Sequence, residues 1–274
     1  MYNLRYHVAS LVAVFLALTV GLVLGGVVAE RSSVTGRVES LVEQLKTRFD
    51  ALQQENTDLK RSLEAEQAFG RAAARALTRG ALDGRRVLIV TNAGRADGLD
   101  AARAAVEQSG GEVAVLMFEK PRAGLDAAVP PDLGSGIAPG PEAYQAIARA
   151  LAAELTTTAA RPTLDALDKS GALSARRMED PVDACVVLAS AEEGPDEFGI
   201  ALGAALKALG VPCVGAESTS RDTGVAAAAA QAGLSAVDDI DEPAGTCSLV
   251  WCLSGRAEGW FGSKKGAKEP FPEF

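Results

Sequence analysis

Residues 8–29 read VASLVAVFLALTVGLVLGGVVA, a run of 22 residues without a charged side chain. A helix of about 20 apolar residues is long enough to cross a hydrocarbon core of ~30 Å. Ser10 and Thr19 are the only side chains in the run with a hydroxyl group. A signal peptide cleaved near Ala29 is the competing interpretation, but the apolar core of such a peptide is shorter, about 7–15 residues. The segment therefore predicts one uncleaved transmembrane helix.

The residues on the two sides of this helix bear on its orientation. Residues 1–7 form a short head that contains Arg5, whereas Arg31 and Arg37 follow the helix, so positive charge does not distinguish the two sides. A short head before a large domain is typical of an N-terminal anchor. We therefore expect a single-pass protein of the cell membrane, with a cytoplasmic head and an extracytoplasmic C-terminal domain.

The next segment, residues 30–79, has the pattern of a coiled-coil stalk. Apolar residues recur at seven-residue spacing with one residue on the facing position, and residues 37–69 lack both Pro and Gly. The expected seam consists of Val38, Leu41, Leu45, Leu52 and Leu59. Upstream, Gly21 and Gly25 form a GxxxG step, which favours close packing of two membrane helices. Together these features predict a homo-oligomer, although the stalk could instead pack along its own C-terminal domain.

Residues 84–262 alternate between short apolar runs and helical segments, which is typical of an α/β domain. Strands are predicted at residues 86–91, 112–118, 183–189, 211–215 and 235–240, and helices at 98–109, 142–155, 163–169 and 197–209. This alternation predicts an open, mostly parallel, doubly wound sheet whose ligand sites lie at the carboxyl ends of the strands. Residues 263–274 are expected to form a flexible tail.

Several classes of function are disfavoured by composition and motifs. The net charge of −9 argues against nucleic acid as a partner, and the loop after the first strand has neither a GxGxxG nor a P-loop motif. The only histidine, His7, precedes the apolar run, so the domain cannot build a histidine-based catalytic site. We therefore expect a protein that is not an enzyme. The acidic run at residues 238–242 is interpreted as a solvated loop in preference to a cation site.

The four cysteines are Cys185, Cys213, Cys247 and Cys252, and none of them forms a CxxC motif. Buried apolar thiols are the expected state.

Segments from both ends of the chain resemble one known family. They are YNLRYHVASLVAVFLALTVGLVLG at 2–25, RRVLIV at 85–90, DEPAGTCSLVWCLSG at 241–255 and EGWFG at 258–262. Together they resemble the actinobacterial copper-transport family typified by mycobacterial copper transport protein B. The resemblance implies an N-terminally anchored envelope protein that takes part in copper homeostasis and efflux, and it alone implies copper as a ligand.

The resemblance also assigns an end motif. It implies a Pro–Ala–Gly helix at Pro243, Ala244 and Gly245, followed by a Gly–aromatic–Gly turn. The turn consists of Gly259, Trp260, Phe261 and Gly262, where the family often has GHYG, so a histidine is missing. In a helix Cys247 and Cys252 lie about 140° apart, which disfavours one shared Cu(I) ion.

Two hypotheses from different classes follow. The first is a copper-homeostasis protein of the envelope. The second is a non-catalytic coiled-coil scaffold that presents the α/β domain to an envelope partner, for example in cell-wall or division assembly. In both hypotheses the lipid bilayer is a partner. Apart from the copper that the resemblance implies, no cofactor is identified.

Overall fold

The computed structural model of the chain describes residues 4–93, 98–133, 138–188, 195–220 and 222–273; within its first helix, the side chains of residues 4, 5 and 27–39 are outside this description. Two compact units are present, residues 1–65 and residues 66–274.

Helix α1 spans Leu4–Thr78 and supplies all of the described structure of the first unit. Its segment Tyr6–Gly26 has a mean hydropathy of 2.5 and none of it is buried within the protein, so by length and composition it can cross a membrane. The candidate span expected from the sequence is thus present, with boundaries two to three residues earlier. The coiled-coil state of the following segment stays a prediction, because a single chain is described.

The second unit alternates strands and helices through most of its length. After α1 come β1 (Arg86–Asn92), α2 (Leu99–Gln108), β2 (Glu112–Phe118), α3 (Pro141–Leu155), α4 (Pro162–Lys169), β3 (Leu173–Arg176), β4 (Ala184–Val187), α5 (Glu197–Ala208), β5 (Cys213–Ala216), α6 (Val225–Gln231), β6 (Ser235–Val237), α7 (Pro243–Leu253) and β7 (Trp260–Phe261). Short 3₁₀ turns at Pro121–Gly124 and Pro131–Leu133 occupy the loop between β2 and α3.

Local chemistry explains where several of these helices begin. Pro141, Pro162 and Pro243 stand in the first turns of α3, α4 and α7, where the missing N–H costs nothing. Helix α5 is capped by Asp196, whose carboxylate accepts hydrogen bonds from the backbone N–H groups of Phe198 and Gly199 at 2.9 and 3.0 Å.

The strands form one seven-stranded sheet in the order β3-β2-β1-β4-β5-β6-β7. Every neighbouring pair is parallel except β2 and β3, which are antiparallel. The mostly parallel α/β fold predicted from the sequence is confirmed. Both edge strands, β3 and β7, were not predicted as strands, because runs of four and two residues are too short to show an apolar period.

Two apolar layers cover the sheet. On one face, α3, α4 and α5 pack over residues such as Leu88, Leu116 and Val187. On the other, α2 and α7 pack over Val87, Ile89 and their neighbours. The parallel strands are therefore buried on both faces, which matches their nearly continuous apolar sequence.

Candidate functional site

Four ionisable residues meet where β5, β6 and β7 end. Glu217 follows β5, Asp238 and Asp239 follow β6, and Lys264 lies three residues after β7. The three carboxylic residues are only 2%, 0% and 5% exposed. Because these strands are parallel, their carboxyl ends share one edge of the sheet, where ligand sites of this fold class usually lie. We call these four residues the carboxyl-edge cluster.

A buried ion pair joins two members of the cluster. Lys264 Nζ lies 3.0 Å from Glu217 Oε1 and donates a second hydrogen bond to the carbonyl oxygen of Ser218 at 2.8 Å. The other Glu217 oxygen accepts hydrogen bonds from the N–H and hydroxyl groups of Thr223 at 3.2 and 2.7 Å. Both charges are compensated, and the pair holds the segment after β7 against the loop after β5.

Asp238 ties the end motif to the sheet. Its Oδ2 accepts a hydrogen bond from the indole N–H of Trp260 at 2.8 Å, and its Oδ1 accepts from the backbone N–H groups of Ser263 and Lys264 at 2.8 and 3.0 Å. Gly262 lies so close that a Cβ there would overlap the Asp238 carboxylate. Trp260 thus supplies an N–H donor to the buried carboxylate of Asp238.

Asp239 packs against the first turn of α7. A Cβ on Gly245 would overlap both the backbone carbonyl and the carboxylate of Asp239, so only glycine fits there. Within the described part of the chain, Asp239 Oδ1 has no hydrogen-bond partner. Burial first, and then the negative charges of Asp238, Asp241 and Glu242, raise the Asp239 pKa to about 7, against an opposing effect of Lys264.

The sequence interpretation of this region needs two corrections. The acidic run at 238–242 is not simply a solvated loop, since Asp238 and Asp239 are buried and only Asp241 of the aspartates is exposed. The expected turn at Gly259–Gly262 contains a strand, because Trp260 and Phe261 pair in parallel with Ala236 and Val237 and bury Phe261. Helix α7 does begin at Pro243, as the resemblance implied, with Ala244 and Gly245 in its first turn.

Glu217 and Lys264 were not singled out from the sequence. Their separation of 47 residues leaves no local signal that they meet.

The residues expected to mediate oligomerisation all lie on α1. Gly21 and Gly25 have open space around them. The side chains of Leu41, Leu45, Leu52 and Leu59 are 56–65% exposed. The side chain of Val38 lies outside the described residues. Val42, Phe49 and Leu63 of α1 are exposed as well and widen the apolar face of this helix. Association through this face stays a prediction.

The cysteines fall into two groups. Cys185 and Cys213 are buried on neighbouring strands, whereas Cys247 and Cys252 lie on α7, the first half-buried and the second buried. Burial raises the pKa of Cys252 to about 12 and also raises that of Cys247. In the described residues no group of three or more His, Cys, Asp or Glu side chains is arranged to hold a metal ion.

The switch point of the sheet, between β1 and β4, is a second place where ligands commonly bind. Asn92 is buried there at the end of β1. The loop after β1, in which the sequence shows neither a GxGxxG nor a P-loop motif, lies outside the described residues at 94–97, and so do residues 189–194 after β4.

A protein-family model described as copper transport outer membrane protein, MctB, matches residues 1–272. The comparison with curated proteins finds no match. The comparison with solved structures finds none either.

Proposed function

The chain belongs to the MctB copper transport outer membrane protein family, and on that premise we propose that it acts in copper efflux as a membrane-anchored component of the cell envelope. The observation that carries this proposal is the extent of the match, which includes the apolar helix, the following helical segment and the α/β domain. The link from family to copper is one of association, so it requires a direct test.

The membrane helix supports a role as an anchor and not as a conduit. Its window of high hydropathy extends from Tyr6 to Gly26, and the hydroxyl of Thr19 donates to the Phe15 carbonyl oxygen of the same helix at 2.6 Å. An ion crossing the bilayer needs a polar path, which one apolar helix does not supply. Copper transport by this protein would thus require several chains or a partner pore.

We propose that the domain after the helix lies outside the cytoplasm. The short head of residues 1–7 and the apolar run directly after it are the features that support this orientation. The test is a Lys60→Cys variant treated with a membrane-impermeant maleimide. Intact cells should label at this exposed position, and a variant that labels only after lysis would reverse the topology. The unsubstituted chain, in which three of four cysteines are buried, is the background control.

Self-association through α1 is part of the same proposal. Its support is the row of exposed leucines at positions 41, 45, 52 and 59, because a single helix in water leaves this apolar area unpaired. The open space around Gly21 and Gly25 is compatible with a second helix at close range in the membrane. Pairing would bring copies of the α/β domain together.

A non-catalytic envelope scaffold remains the second candidate, for which the same exposed leucine row is the supporting observation. In that case the paired helices would display the α/β domain to another envelope protein, and copper would have no part in its function. The ion pair and the buried carboxylic residues of the carboxyl-edge cluster then serve to stabilise the domain.

The deciding experiment is a strain that lacks the gene. If the protein acts in copper efflux, this strain should accumulate copper and stop growing at a lower copper concentration, and the full-length gene should restore both. A form with residues 1–29 replaced by a cleaved signal peptide should not restore them, since the anchor is lost. Unchanged copper content and unchanged copper tolerance in the deletion strain would reject the copper role and favour the scaffold.

A further inference from the structure

A cavity lies between α2 and the edge of the sheet where β3 pairs with β2. Its volume is about 240 Å³, and it is lined by Arg103, Glu107, Val113, Val115, Arg176 and Arg177. The two valines belong to β2 and are buried, so they form an apolar floor. The four charged residues are exposed. Three arginines thus line one small cavity in a chain whose net charge is −9.

The backbone of the edge strand explains how two consecutive arginines line the same cavity. Arg176, the last residue of β3, is the Cα partner of Val115 in the antiparallel pairing, so these two side chains lie on the same face of the sheet. If the strand continued, Arg177 would point to the opposite face. Its φ of 57° is left-handed instead, which ends the alternation, and Arg177 lines the cavity beside Arg176.

This conformation of Arg177 is strained. Left-handed backbone is unfavourable for residues that carry a Cβ, and glycine is the residue that adopts it without cost. Arg177 is held there between the end of β3 and the buried side chain of Met178. Strain of this kind is concentrated at functional sites. Here it brings to the cavity a second guanidinium group, which a glycine at the same position would not supply.

The charges at the cavity are not compensated by the protein itself. Arg86 of β1 shows the contrasting case, because it forms ion pairs with Glu112 and Asp180 at 2.8 and 2.7 Å. Among the residues that the structure describes, the three arginines of the cavity take part in no side-chain hydrogen bond or ion pair. Of the six lining residues only Glu107 is acidic. Three positive charges therefore face one negative charge, and an anion between the arginines would relieve their mutual repulsion.

We propose that this cavity binds the phosphate group of a small ligand. A guanidinium group donates paired N–H hydrogen bonds to phosphate oxygens, and this bidentate geometry makes arginine the preferred partner of phosphate. The cavity is smaller than the roughly 300–1,000 Å³ of sites for drug-sized molecules, which favours a phosphate group with a small substituent or none. The site goes beyond the proposed copper function and does not depend on it.

An acidic peptide is the competing ligand for a group of arginines. Its carboxylates are spread along an extended chain, so a peptide requires a row of basic residues on an open surface. The three arginines instead line a single cavity with an apolar floor, and one compact anion can contact all of them. The arrangement therefore favours phosphate over a peptide.

The test is isothermal titration calorimetry of the full-length protein in nonionic detergent, with inorganic phosphate, glycerol 3-phosphate, acetate and a tetraglutamate peptide as separate ligands. We expect one phosphate per chain, bound at least about tenfold more tightly than acetate because a single carboxylate makes fewer charged hydrogen bonds. Added salt should weaken the binding. Tighter binding of glycerol 3-phosphate than of inorganic phosphate would identify a phosphate ester as the ligand, and the reverse would identify free phosphate.

Substitutions assign the binding to the cavity. Arg103→Gln, Arg176→Gln and Arg177→Gln should each lower the phosphate affinity about tenfold or more, since each removes charged hydrogen bonds. Glu107→Gln should raise the affinity, because it removes the negative charge from the lining. The matched control is Arg79→Gln, which changes an exposed arginine that does not line the cavity and should leave the affinity unchanged.

Arg177→Gly separates binding from folding. Glycine adopts the left-handed conformation without strain, so this variant should not lower the unfolding midpoint, yet it should still lose about tenfold in phosphate affinity. Four results would overturn the site: no phosphate binding, acetate bound as tightly as phosphate, tetraglutamate bound more tightly than phosphate, or a phosphate affinity that the three glutamine substitutions leave unchanged.

Discussion

The ion pair between Glu217 and Lys264 allows the sharpest test of the carboxyl-edge cluster. In Lys264→Met the Glu217 carboxylate, whose side chain is 3% exposed, stays buried with only the donors of Thr223. Removal of one partner of a buried ion pair costs roughly 3–5 kcal/mol. The Lys264 side chain is 17% exposed, which weakens the pair, so we expect a loss of about 3 kcal/mol in the free energy of unfolding.

That loss is measurable by thermal unfolding of the full-length protein in detergent. For a domain of this size each kcal/mol lowers the midpoint by about 2–4 °C, so a shift of about 6–12 °C is expected. In a Trp251→Phe background, tryptophan fluorescence reports on Trp260 alone, whose indole N–H is bonded to Asp238 of the same cluster. The double variant Glu217→Gln/Lys264→Met removes the unpaired carboxylate at position 217 and should recover part of the lost stability.

The matched control is Lys265→Met, which removes an exposed lysine at the adjacent position and should shift the midpoint by less than about 2 °C. The reasoning would be refuted if Lys264→Met behaved like this control. It would also be refuted if the double variant were no more stable than the single one, since the cost would then not come from an unpaired carboxylate.

Three further predictions concern the buried aspartate, the end motif and α1. Folding raises the pKa of Asp239 from 3.8 to about 7. The protonated side chain therefore stabilises the folded protein fully below pH 4, and this stabilisation is lost as the pH rises to 7. Denaturant unfolding at several pH values should show the loss of stability, and Asp239→Asn should abolish this pH dependence. Gly245→Ala should lower the unfolding midpoint, because the new Cβ would clash with Asp239. Gly199→Ala, which is also at the third residue of its helix, should not lower the midpoint, because the nearest atom to its Cβ would be 3.4 Å away. Leu45→Asp with Leu52→Asp should make residues 30–274 monomeric in sedimentation experiments, because each buried leucine is worth roughly 1.5–3 kcal/mol.

Controls and contrary outcomes for these three are direct. A pH dependence that persists in Asp239→Asn would assign it to another group. Equal effects of the two glycine substitutions would mean that the clash at Gly245 is relieved. For α1, Gln53→Asp with Thr57→Asp adds the same charge away from the leucine row and should leave the association intact. An unsubstituted chain that is monomeric at tens of micromolar would contradict pairing.

Local patterns in the sequence were sufficient to predict the candidate membrane helix and the α/β class. A run of apolar residues long enough to span a bilayer needs no tertiary context, and the apolar runs that became β1, β2, β4, β5 and β6 are each bounded by turn residues. Helix α7 was recognised through a family resemblance and not through its pattern, since its apolar residues surround the helix instead of forming one stripe.

Only the tertiary structure decided which polar residues and which thiols meet. Along the sequence, Asp238 and Trp260 are 22 residues apart, and Glu217 and Lys264 are 47 residues apart. The periodicity of apolar residues within one helix or strand carries no information over such separations. Strand order and register bring each pair together, just as they place Cys185 opposite Cys213. The sequence determines which side chains are available for such pairs. The parallel pairing of distant strands selects the partners, because hydrogen bonding between strands brings residues together whatever their separation along the chain.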